Sequence, residues 1–307
     1  ERNILITPGS DSGLLFAMMP FISPGDEVLV PDPSYPSNFL NPKLLGGKAV
    51  SVPLDEAADF RLTRGALEAA LTPSTKMVLL TNPNNPTATV YSREEMEMLA
   101  AFILEHDLVA VVDQACEDFI YDGREMVTLA SLPGMWERTG TVFSVSKGMA
   151  LSGTRVGYLV AEDHIMDVMY GCAVNVIGTT NSTFQAATAY AFDHPEFMEE
   201  YKAIFDARRR RVHDILSGIP GVTVRMPQSG FLIWADVSHL GSAEEVAAYL
   251  IEEAKVCINA GTAYGKQGAG HLRIVYGCFA DSGRIYAAME RVREALLKLG
   301  REKNVRA

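Results

Sequence analysis

Short apolar runs alternate with longer stretches of helical spacing along most of this chain. Val28-Leu29-Val30, Met77-Val78-Leu79-Leu80, residues 108–112 and Thr141-Val142-Phe143 have strand length and the continuous apolar character of strands covered on both faces. Asn3-Ile4-Leu5-Ile6-Thr7 reads as the end of another buried strand, with a helix beginning near Leu14. Between the runs, residues 67–71 and 94–105 carry helical spacing, and Ser92 with Glu95 three residues on predicts a capping box for the second. The alternation predicts an α/β fold, a doubly wound and mainly parallel sheet with helices on both faces. Ligands of such folds gather at the C-terminal ends of the strands. Residues 199–216 predict one long helix, after which the strands shorten (231–235 and 272–276) and a helix over 284–299 follows. A domain boundary is placed inside the long helix, dividing a large domain, 1–205, from a smaller C-terminal α+β domain, 206–307. No internal repeat or low-complexity segment is visible.

Composition narrows the partners. The 307 residues are 48% apolar and 21% charged, as in proteins that bury a large core. A formal net charge of -11 speaks against nucleic acid, because phosphate binding needs a concentrated basic surface. The one basic run, Arg208 to Arg211, shares its helix with Glu199, Glu200 and Asp206 and reads as a solvated face. Cys116, Cys172, Cys257 and Cys278 are scattered without a Cys-x-x-Cys pair, which predicts neither a metal site nor a disulfide framework and fits a reducing cytoplasm. The nearest approach to a membrane segment, residues 13–22, is short and interrupted by Pro20. No secretion signal is read at the start.

Candidate chemistry follows the strand-like runs. Lys147 stands after Phe143 in Ser144-Val145-Ser146-Lys147, with Gly153-Thr154-Arg155-Val156-Gly157 behind it. Pro8-Gly9-Ser10-Asp11-Ser12-Gly13 joins a strand end to a helix start, where free amides suit an anion. Asp32-Pro33-Ser34-Tyr35-Pro36, Asn82-Pro83-Asn84-Asn85-Pro86-Thr87 and Asp113 end three further runs. Together they are the parts needed to hold an aromatic, phosphorylated aldehyde.

Ser-x-Ser-Lys with Gly-x-Arg-x-Gly, backed by the Asn-Pro-Asn-Asn-Pro-Thr segment, resembles the class I and II aminotransferases of fold type I. The resemblance covers essentially the whole chain and implies a three-layer α/β/α fold, pyridoxal 5'-phosphate as cofactor, and a homodimer. The family's N-terminal portion is expected to be missing. In that family the lysine at the position of Lys147 forms a Schiff base with the cofactor, and its freed amine then moves the substrate proton. Arg155 matches the arginine that pairs with the cofactor phosphate, and Ser144 the hydroxyl that helps it. Gly9, Ser10 and Asp11 match the phosphate loop through their amides, provided that the Asp11 carboxylate points away. Tyr35 matches the aromatic residue lying against the pyridine ring. Asn85 matches the amide that donates to the pyridine O3' beside the substrate. Asp113 matches the carboxylate that keeps the pyridine nitrogen protonated, so that the ring acts as an electron sink. Leu272-Arg273-Ile274 resembles the strand whose arginine binds the substrate α-carboxylate, and Gly261-Thr262-Ala263-Tyr264-Gly265 before it loosely matches a family loop, with Ala260 where proline is usual.

Two departures stand out. Cys116 occupies the place of a tyrosine whose hydroxyl meets O3', and a thiol is a shorter, weaker donor. Ala88 replaces the glycine after Pro-Thr, so the turn is expected to avoid a conformation that only glycine tolerates. No second arginine is found around Thr179-Thr180-Asn181-Ser182, which argues against aspartate as preferred substrate. The expected function is transfer of an amino group between an amino acid and a 2-oxo acid. A lyase, cyclase or oxidase on the same scaffold, and the effector-binding domain of a transcription regulator, are the alternatives; a dinucleotide-binding protein lacks the required Gly-x-Gly-x-x-Gly spacing.

Overall fold

Every strand-like run becomes a strand, and their inward and outward residues sort into separate cores. The structure, a computed structural model, describes residues 2–305. Strand β1 (Ile4–Thr7) turns into helix α1 (Ser10–Met18), followed by β2 (Glu27–Asp32), α2 (Pro36–Leu44), β3 (Lys48–Pro53) and α3 (Arg64–Ala70). Next come β4 (Thr75–Thr81), α4 (Arg93–Glu105), β5 (Val109–Asp113), β6 (Thr139–Ser144) and β7 (Gly157–Val160). Helices α5 (Asp163–Ile177), α6 (Ser182–Asp193) and the long α7 (Glu196–Leu216) lead to the C-terminal part. That part holds β8 (Thr223–Val224), β9 (Leu232–Asp236), α8 (Ala243–Ala254), β10 (Asn259–Ala260), β11 (His271–Val275) and α9 (Ser282–Glu302).

The first sheet has seven strands in the order β1-β7-β6-β5-β4-β2-β3. Neighbours run parallel except around β7, which is antiparallel to both β1 and β6. Val28, Val30, Met77, Leu79, Val111 and Val142 pack with Leu14 and Ala17 of α1 and Met166 and Met169 of α5. The alternate residues Leu29, Val78, Leu80, Ala110 and Val112 pack on the opposite face with Leu67 of α3 and Leu99, Phe102 and Ile103 of α4. Period-two alternation with both faces apolar is what makes the three layers. The capping box opens α4 as the spacing predicts: Glu95 N–H donates to Ser92 Oγ at 3.2 Å and Ser92 N–H to Glu95 Oε2 at 2.8 Å. The smaller α+β part builds an antiparallel sheet, β10-β11-β9-β8, against α7, α8 and α9 through Val212, Ile233, Leu250, Ile274, Val292 and Leu296. Among the described residues, no helix is long and apolar enough to cross a membrane.

Four expectations need correction. Strand β1 is not buried: it forms the sheet edge with Ile4 half exposed. Helix α1 begins at Ser10, ahead of Leu14, because Gly9 at φ 85° turns the chain at once. Ala88 does take the left-handed conformation, φ 59°, and is held there by its N–H to Asn84 O at 2.9 Å and by Gln228 N–H on its own carbonyl at 3.0 Å. The basic run is only half solvated. Arg208 is buried and donates to Phe279 O, Ala280 O and Ser282 Oγ. Arg209, fully buried, pairs with Asp122 at 2.7 Å and Asp206 at 2.6 Å, donates to Pro227 O, and lies 4.4 Å over the Tyr121 ring. The hydrogen bonds from Arg209 push the Asp122 carboxyl down to about 2.

Candidate active site

The parallel strands all end on one side, and the connections leaving them converge there. Thr7 of β1, Asp32 of β2, Thr81 of β4, Asp113 of β5 and Ser144 of β6 each close their strand. Behind these ends lies a cavity of about 340 Å³, whose wall includes Ser10, Asp11, Tyr35, Asn85, Asp113, Cys116, Ser144, Lys147 and Arg155. The C-terminal part closes it with Arg273 of β11. Gly9 is not in the wall but stands directly behind Arg155.

Glycine makes the anion end possible. A Cβ on Gly9 would overlap the Arg155 guanidinium, and one on Gly157 would lie 2.7 Å from Gly9 C and 2.8 Å from Ser10 N. No side chain caps α1, so its first amides stay free for a ligand beside that guanidinium. Arg155 has left-handed backbone, φ 53°, and donates to Ser152 O at 3.0 Å. Ser144 Oγ accepts the Ser146 N–H at 3.1 Å, which leaves its own hydrogen to donate. The Asp11 carboxylate is exposed and accepts from Ser37 Oγ at 3.2 Å, turned toward α2.

At the other end Asp113 is 5% exposed and accepts the Ala115 N–H at 3.0 Å. Burial pushes its carboxyl up to about 6; the Ala115 bond and the Lys147 charge oppose this, and Asp11 adds to it. Burial also raises Tyr35, with the Asp11 and Asp113 charges contributing. Cys116 is pushed up to about 12, chiefly by burial and then by Asp113, so it is a neutral thiol near pH 7. Lys147 Nζ lies 5.7 Å from the centre of the Phe231 ring. The turn carrying Lys147 passes so close to Asp118 that a Cβ on Gly148 would overlap that carboxylate. Arg273 donates to two neutral acceptors, Asn85 Oδ1 at 3.2 Å and Asn259 Oδ1 at 3.3 Å, and its buried Nε has no partner among the described residues. Such a guanidinium retains donors for a carboxylate.

Sequence reasoning missed Ser146, Ser152 and Phe231, which share the wall. Ser146 lies inside the Ser-x-Ser-Lys segment and was within reach. Phe231 carries no motif, and only the fold brings it beneath Lys147.

An aromatic phosphorylated aldehyde fits this set of groups, since a guanidinium beside free helix amides, a buried carboxylate and an amine all face one cavity. The comparisons agree. The sequence profile described as aminotransferase class I and II matches residues 1–292. The chain is 32% identical over 299 residues to an aspartate aminotransferase of Musicola paradisiaca, covering 96% of this chain and 74% of the relative. It is 34% identical over 300 residues to an aromatic-amino-acid aminotransferase of Thermococcus litoralis, covering 96% and 76%. Among solved structures, an aromatic aminotransferase of Pyrococcus horikoshii superposes with a TM-score of 0.93 at 31% identity, covering 98% of this chain and 80% of that one. The chain belongs to the class I and II aminotransferases, pyridoxal-phosphate-dependent enzymes that move an amino group between an amino acid and a 2-oxo acid.

Proposed function

We propose that this chain binds pyridoxal 5'-phosphate at Lys147 and transfers the amino group of an amino acid with an uncharged side chain to a 2-oxo acid. The observation that carries the reading is the convergence of Lys147, Asp113, Asn85, Arg155 and Arg273 on one cavity at the strand ends. When bound, the cofactor supplies an aldehyde to take the amine and a pyridinium ring to accept the electrons of the Cα–H bond. Arg155, Ser144 and the amides of Gly9, Ser10 and Asp11 would hold the phosphate, Tyr35 would lie against the ring, and Asn85 would donate to its O3'. Asp113, whose burial disfavours a lone charge, would as a carboxylate gain a partner in the ring nitrogen and keep the proton there. Arg273 orients the substrate through its α-carboxylate. The Lys147 amine would hold the cofactor aldehyde and serve as the base that holds and moves the proton at Cα. Cys116 would border O3' with a thiol, a weaker donor than a hydroxyl.

Among the described residues, Lys147, Arg155 and Arg273 are the basic ones of the cavity wall, and each has a task. None is left over for a second carboxylate, which supports an uncharged substrate side chain. Incubating the cofactor-loaded protein with one amino acid and no 2-oxo acid should convert the cofactor stoichiometrically to its amine form; release of ammonia with a 2-oxo acid would indicate a lyase instead. A neutral amino acid should outcompete aspartate in kcat/KM.

The proposal extends to organisation. Tyr170 and Val176 on α5 and Phe184, Tyr190 and Phe192 on α6 are 56%, 56%, 41%, 67% and 48% exposed, an apolar surface that supports a homodimer. The boundary between units 1–205 and 206–307 falls within α7. Four unpaired cysteines suit the reducing cytoplasm. Sedimentation of the full chain tests the dimer.

A further inference from the structure

Asp32 is fully buried and takes no part in the chemistry above. It accepts from Ser51 Oγ on β3 at 2.5 Å and from the backbone N–H groups of Lys266 and Gln267, each at 3.1 Å. The two amides belong to the loop between β10 and β11, so a carboxylate at the end of the large sheet grips the C-terminal part. Gly265, at φ 122°, lets the loop come this close, since a Cβ there would overlap the Asp32 carboxylate. One residue earlier, Tyr264 O accepts the Ser34 N–H at 2.8 Å, so the loop is pinned beside the turn that carries Tyr35.

The grip leads to Arg273. The Tyr264 ring lies 4.7 Å from the Arg273 guanidinium, and Trp234 meets the edge of that ring at 6.0 Å. An arginine side chain is long and loses much rotamer freedom when fixed, so the surface against which it rests sets where its charge stands. From that surface Arg273 reaches Asn85 at 3.2 Å. Asp32 suits its task because three donors converge on it and a carboxylate only accepts; an amide in its place turns an NH2 toward one of them.

We propose that Asp32 is a positioning residue for Arg273: by holding the 264–267 loop it fixes the Tyr264 platform, and so the distance at which the arginine meets the substrate carboxylate. This rests on the reading of Arg273 as the α-carboxylate ligand. The test uses the full chain loaded with cofactor. Asp32→Asn should raise KM for the amino acid about 10-fold or more, with kcat within about 3-fold and the cofactor absorbance spectrum unchanged. Gly265→Ala attacks the same grip from the loop side and should give the same signature. Ser51→Ala, which removes one donor and keeps the carboxylate, should raise KM about 2-fold and serves if the others fail to fold. In an Arg273→Ala background, Asp32→Asn should leave KM where Arg273→Ala alone put it. A fall in kcat without a KM change, or loss of cofactor absorbance, would overturn the proposal, as would an undiminished Asp32→Asn effect in the Arg273→Ala background. If Arg273→Ala alone leaves KM unaltered, the carboxylate reading fails first. If Arg273→Ala raises KM while Asp32→Asn and Gly265→Ala do not, that reading stands and the role of Asp32 is overturned.

Discussion

Two sets of arginines in this molecule look alike in sequence and are opposites in space. Arg208 and Arg209, on α7, are buried with their donors taken up by carboxylates, a hydroxyl and main-chain carbonyls. Arg155 and Arg273 line the cavity and, among the described residues, meet only neutral oxygens: Ser152 O for the first, Asn85 and Asn259 for the second. The first set is complete without a ligand and contributes to stability. The second keeps donors to spare, and on the proposed reading it contributes to binding.

The contrast is open to direct attack. Removing the reactive group itself has the largest effect: Lys147→Ala should lower kcat by about 10,000-fold or more, with a melting temperature close to that of the parent in the cofactor-free form. The two sets then separate by paired substitutions. Arg273→Ala should lower kcat/KM about 100-fold and leave denaturant stability unchanged, whereas Arg209→Met should lower stability by about 2–3 kcal/mol and leave kcat/KM per folded molecule unchanged. If Arg209→Met impairs KM as Arg273→Ala does, the separation is false.

Asp113 makes a smaller, pH-dependent prediction. Its carboxyl is pushed up to about 6, so in the cofactor-free chain it is protonated below that pH and ionised above it. Pairing with a pyridinium needs the ionised form, so cofactor affinity should rise as pH climbs through about 6, at most about 10-fold per unit, and level off above it. An affinity flat from pH 5 to 7 would contradict the pairing. The smallest effect belongs to Cys116. A tyrosine there would donate to an anionic O3' and stabilise it, so Cys116→Tyr should shift the absorbance titration of the bound cofactor to lower pH by about one unit or less. Superimposable curves would remove any role for this position.

The same contrast explains what the sequence revealed. The strands were legible because covering a sheet on both faces demands continuous apolar runs, and residues 77–80 and 108–112 show no other period. Tyr35, Asn85, Asp113, Cys116 and Lys147 were legible because each ends a strand or stands within four residues of a strand end, so local order and spatial position coincide, whereas Arg155 and Arg273 stand just before β7 and inside β11 and were legible by their motifs alone. The fate of Arg208 and Arg209 was hidden, because their partners Asp122, Phe279 and Ala280 lie roughly 70 to 90 positions away. Ala88 misled for a similar reason. Its strained turn is held by Gln228 and Ser229, from the far side of α7, and a local rule about glycine does not weigh such distant support.

Gly9, Gly148 and Gly157 contribute no reactive atom, yet a side chain at each would meet an occupied place: the Arg155 guanidinium, the Asp118 side chain, and the backbone of Gly9, Ser10 and Phe143. A survey scoring every substitution for growth would rank these three with the catalytic groups. Intolerance there records crowding rather than reactivity, and such a survey would need a separate measure of chemistry to tell the emptiness a site depends on from the groups that fill it.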